Sequence, residues 1–82
     1  MAKIEKLTVD VVPQLWKHRE NIFADKSVAL SPDMQVDSSG IAFLVQWAKH
    51  LPQRRLIIIN APTNAIKLIK MFRLEELFEV KA

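Results

Sequence analysis

Leu56-Ile57-Ile58-Ile59 is the tightest constraint on how this chain can fold. Four apolar residues in a row, three of them β-branched, lie between Pro52-Gln53-Arg54-Arg55 and Asn60-Ala61-Pro62. A segment apolar at every position has no polar face to give to water, so it suits a central parallel strand covered by other layers. The flanking segments carry helical spacing. Thr63 to Phe72 places Ala65, Leu68, Ile69 and Phe72 inward and Lys67 and Lys70 outward. A helix starting near Ser38 must stop at Pro52, because proline disfavours a helical residue before it.

Closer to the N-terminus, Ile4 to Val9 alternates as a half-buried strand would, and Asp10 is a candidate cap for the helix that follows. Pro13 is tolerated in that first turn, and Val12, Leu15, Trp16, Ile22 and Phe23 share one stripe, opposite Gln14, Lys17 and Asn21. Ser27 to Leu30 is a short apolar strand that Pro32 ends. Leu74 to Val80 reads as a turn and a short terminal strand. Strands alternating with helices predict an α/β fold: a mostly parallel sheet of about four strands, three main helices and right-handed crossovers. The strand order is open.

With 82 residues and no linker or repeat, residues 1–82 read as one domain. The absence of cysteine excludes disulfides, thiolate catalysis and cysteine zinc sites, and it suits a reducing cytoplasm. A single glycine excludes both the dinucleotide fingerprint and the Walker phosphate loop. Apolar runs such as Ile41 to Val45 are too short to span a bilayer, and the N-terminus has no signal-peptide pattern. His18 and His50 have no pattern tying them to a serine and an acid, and without cysteines they make no metal site. The expectation is a non-enzymatic module with no cofactor, no metal and no direct membrane insertion.

Net charge is +3, unevenly spread: Ser38 to Arg73 contains no acid but holds Lys49, Arg54, Arg55, Lys67, Lys70 and Arg73. A basic half attracts phosphates or an acidic protein surface, or simply keeps a face solvated. Without tyrosine or an RNA-binding motif, nucleic acid is not the expected partner.

The densest motif is Val36-Asp37-Ser38-Ser39-Gly40, at the start of the second helix. Two readings fit it. Asp37 or Ser38 caps the helix while Gly40 permits close packing; or an exposed Ser38 is a phosphorylation or partner-contact site at the positive end of the helix dipole. Along this helix Ile41, Leu44, Val45 and Ala48 face the sheet, and Phe43, Trp47 and His50 lie nearly opposite. Those aromatics form either an outward interface patch beginning at Ser38 or a second packed face under a neighbouring segment.

Val36 to Ile41, after a strand ending Ala29-Leu30-Ser31, resembles the loop and helix of STAS domains. Lys6 to Asp10 with Val12 to Trp16, and Ile57 to Pro62, resemble the family's flanking junctions. Length and Leu15-Trp16 are most similar to the small cytoplasmic STAS subunits of Mla phospholipid-transport ABC complexes. The resemblance implies a STAS-like sheet and docking on the transporter's ATPase, peripheral to the inner membrane, in a complex that maintains outer-membrane lipid asymmetry. It implies partner contacts at Asp37, Ser38, Ser39, Gly40, Phe43 and Trp47. The alternative it carries is an anti-sigma factor antagonist switched by phosphorylation of Ser38. Family strands often end Asp-Leu-Ser; Ala29 in place of that carboxylate favours docking over phosphoryl transfer. Only three residues precede Ile4, so the family's preceding strand is expected to be missing.

Overall fold

In the computed structural model, which describes residues 2–81, the Leu56–Ile59 run is an interior strand of a parallel sheet. The strands are β1 (Ala2–Lys3), β2 (Ser27–Ala29), β3 (Leu56–Ile59) and β4 (Phe78–Lys81). The helices are α1 (Val12–Lys17), α2 (Arg19–Ile22), α3 (Ser38–His50) and α4 (Thr63–Met71), with a 3-10 turn at Glu75–Leu77. Among the described residues the sheet runs β1-β2-β3-β4 and every pairing is parallel, with Val28 beside Ile58 and Ile58 beside Val80.

A sequential order has a consequence for layering. Each crossover steps to the next strand in the same direction, so right-handed connections carry the helices to one face of the sheet. Leu56 and Ile58 are buried on that face, together with Val28, Leu30 and Phe78. Ile57 and Ile59 point the other way and are only half-buried. The covering of β3 is therefore one-sided, which corrects the expectation of layers on both faces. An all-apolar run shows that a strand is interior but does not count the layers over it.

The N-terminal segment also departs from its expected strand. Ile4 and Leu7 are an odd number apart, so one straight strand would send them to opposite faces. The chain instead leaves the sheet after Ile4, whose N–H donates to Ala29 O (3.1 Å), and Leu7 forms an isolated parallel bridge with Val36. Both side chains are thereby buried. Asp10 does not cap α1; its carboxylate accepts from Thr8 Oγ1 and from Lys6 Nζ (2.9 Å). Those donors hold its pKa down to about 2, the Thr8 hydroxyl contributing most.

The expected first helix is split at His18, whose N–H closes on Leu15 O three residues back (3.1 Å). The apolar stripe lapses there: Arg19 takes the next inward position and lays its guanidinium over the Trp16 ring at 4.4 Å. At the other end, Phe72 is exposed rather than inward. α4 stops at Met71 in a Schellman turn, with Arg73 N–H bonded to Lys70 O (3.1 Å) and Leu74 N–H to Ile69 O (2.9 Å). Arg73 holds the left-handed position (φ 56°), so the chain reverses before Phe72 reaches the core.

Candidate functional site

The motif at the head of α3 is a junction of three segments. Asp37 is the N-cap: its Oδ1 accepts from Gly40 N (3.0 Å), and its Oδ2 accepts from Val9 N (2.9 Å). Its own N–H donates to Leu7 O (3.0 Å). Asn64 reaches across from α4, donating from Nδ2 to Val36 O (2.8 Å). Gly40 is buried against Leu7 so closely that a Cβ there would lie 2.1 Å from Leu7 O. Asp37 and Gly40 thus hold the helix start in place and offer little to a partner, while Ser38 is exposed and Ser39 half-exposed.

Phe43 and Trp47 are corrected most sharply. They are 2% and 0% exposed, not an outward patch. The α1–α2 segment folds over them: Phe23 stacks on Trp47 with centroids 5.8 Å apart, and it packs against Phe43 at 5.4 Å. Trp16 adds an edge contact to Phe43 at 6.5 Å. The indole Nε1 of Trp47 donates to Asp25 O (2.8 Å), which satisfies the one polar atom that burial would otherwise strand. α3 is sandwiched, with Ile41, Leu44 and Ala48 packed in the core on one side and the aromatic cluster on the other. A partner cannot reach Phe43 or Trp47 in this arrangement.

What α3 does expose is the line between its two packed faces. Ser38, Ala42 and Gln46 recur every four residues and are exposed, with Ser39 and Val45 half-exposed beside them. This line is uncharged over its first three turns and ends at Lys49. Next to its start, Val9 is 64% exposed, held there by the hydrogen bond its N–H donates to Asp37 Oδ2. The four-residue spacing of Ser38, Ala42 and Gln46 was readable in the sequence, but small residues give a weaker signal than two aromatics.

A concavity adjoins the far end of this line at Gln46, between α2 and the C-terminal part of α3. It is an open cleft of about 440 Å³, whose lining includes Trp16, Arg19, Phe23, Lys49 and His50. Arg19 is oriented there by donating to Trp16 O (2.9 Å), and His50 rests 5.5 Å from the Phe23 ring. Ser38 and His50 sit at opposite ends of α3, about 18 Å apart along its axis, so they cannot act as a nucleophile–base pair. Among the described residues no group of three or more His, Asp and Glu is placed to hold a metal ion. No helix among them is long and apolar enough to cross a membrane.

Comparison with family models, with curated proteins and with solved structures returns no match for this chain.

Proposed function

We propose that this chain is a non-enzymatic STAS-type subunit of the MlaB kind. On this reading it docks on the ATPase of an ABC phospholipid transporter and supports a complex that maintains outer-membrane lipid asymmetry. One observation carries the docking claim: the exposed line of α3, from Ser38 through Ala42 to Gln46, is small and uncharged, although 26% of the chain's residues are charged. An uncharged helix edge flanked by the protruding Val9 presents little to desolvate, which suits the centre of an interface. The resemblance of Val36 to Ile41 to the STAS loop supports the choice of partner, and a cytoplasmic place beside the inner membrane follows from that partner. Ser38, Ser39, Ala42 and Gln46 make the contact. Asp37, Gly40, Phe43 and Trp47 act beneath it, fixing the position of α3.

The second reading, an anti-sigma factor antagonist switched at Ser38, is favoured by the exposure of Ser38 in the first turn of α3. A native pull-down of the tagged protein from its own cells, with mass spectrometry of captured proteins and of intact mass, separates the two. Docking predicts an ABC ATPase with its membrane subunits and an unmodified Ser38. Capture of a serine kinase or sigma regulator, with a phosphorylated species, overturns docking in favour of the switch.

A further inference from the structure

β4 closes one side of the sheet and pairs only with β3 among the described strands. The backbone orientation along it is fixed by one bond: Lys81 O accepts from Asn60 N on the β3 side (3.0 Å). Successive residues in a strand turn their backbone groups to alternate sides, so the N–H and C=O of Val80 point away from the sheet, to the open edge. The Val80 side chain is 43% exposed. Met71 and Phe72, two more of the exposed large apolar residues, are the last residue of α4 and the one after it, in the stretch that leads to this strand. No residue of β4 is a proline or has a positive φ, so its backbone is open to a further neighbour.

We infer that the β4 edge pairs antiparallel with the β4 edge of a second copy of this chain, about a two-fold axis at Val80. The charge pattern selects that occupant. Glu79 and Lys81 share the sheet face opposite Val80, where Glu79 lies 3.1 Å from Lys81 and 4.0 Å from Arg55. Antiparallel pairing centred on Val80 sets Glu79 of each copy opposite Lys81 of the other, twice over. Parallel pairing in register sets like charges opposite, which destabilises a sheet. An edge lysine alone would repel a second copy; a glutamate two residues before it turns the same edge self-complementary. The two Val80 residues then exchange both backbone hydrogen bonds at the axis, closing a symmetric dimer. The α3 line from Ser38 to Gln46 is not used, so this inference is independent of the docking reading.

Sedimentation equilibrium of the full chain tests it. The mass should rise from 9.4 kDa toward twice that value over a series reaching about 1 mM, the range in which small transient interfaces associate. Val80→Pro removes an N–H that faces solvent in the monomer, so circular dichroism should be unchanged while self-association is lost. Glu79→Lys and Lys81→Glu should each stay monomeric alone, and mixing the two should recover the dimer mass. A wild-type mass fixed at 9.4 kDa throughout overturns the inference. So does association that survives both charge variants and gains nothing from mixing them.

Discussion

Gly40→Ala tests how α3 is seated, and its magnitude follows from the geometry. The added Cβ would lie 2.1 Å from Leu7 O, 2.7 Å from Leu7 Cβ and 2.8 Å from Leu7 C. Contacting carbons sit at roughly 3.5–4.0 Å, so helix and bridge segment must part by about 1 Å or more. Leu7 cannot yield cheaply. Its side chain is fully buried, its N–H donates to Gln35 O (3.0 Å), and its carbonyl accepts from Asp37 N (3.0 Å). Overpacking costs about 1–3 kcal/mol, and weakening these two bonds adds about 0.5–1.5 kcal/mol each. Alanine's helix propensity returns up to about 1 kcal/mol. The net loss is about 1–6 kcal/mol, and at about 3 kcal/mol, inside that range, Tm falls by roughly 12–24 °C in a domain of this size. Thermal unfolding followed by circular dichroism reads it directly. An unchanged or raised Tm would refute the claim that Gly40 is held against Leu7.

Trp47→Phe removes the hydrogen bond to Asp25 O and leaves space where the fully buried indole packed, so it should cost about 1–3 kcal/mol in urea unfolding; an unchanged midpoint would contradict the buried, bonded indole. Arg73→Gly relieves a left-handed residue in the Schellman turn after α4 and should stabilise by about 0.5–1 kcal/mol, whereas a fall in Tm would show that Arg73 makes a contact worth more. Asp10 is depressed from 3.8 to about 2 in the fold, so its contribution to stability is complete above pH 3.8 and is lost as pH falls through about 2. A carboxyl titration by NMR should place its midpoint near 2, and removing the Thr8 hydroxyl with Thr8→Val should raise it.

The parts of the fold legible in the sequence were those fixed by local pattern. Leu56–Ile59 had to be an interior strand, and Pro52 had to follow the end of the helix begun at Ser38. Helical spacing also separated Phe43 and Trp47 from the sheet-facing stripe. It could not say what lay above them, because a helical wheel gives direction and not neighbours. Trp16 and Phe23 in the preceding segment were the available clue, since those rings also need partners. The end of α4 was hidden for a different reason. Arg54, Asn60 and Arg73 occupy left-handed positions where glycine is the usual signal, and the single glycine serves close packing instead.

The same geometry explains why the candidate site moved. The aromatic residues that attracted attention became the support of α3, and the surface fell to the small residues between its packed faces. Burial makes Phe43 and Trp47 unsuitable for testing docking, because replacing either disturbs the core. Ala42 is suitable: it is exposed at mid-helix, and its substitution by arginine leaves helix propensity nearly unchanged.

The decisive measurement is co-purification of the transporter ATPase with the wild-type chain, with Ala42→Arg, and with Lys67→Glu on α4 as a charge control. The docking account predicts that Ala42→Arg loses the ATPase while keeping a wild-type Tm, and that Lys67→Glu retains it. Undiminished capture by a folded Ala42→Arg protein would contradict the assignment of the α3 line as the docking surface.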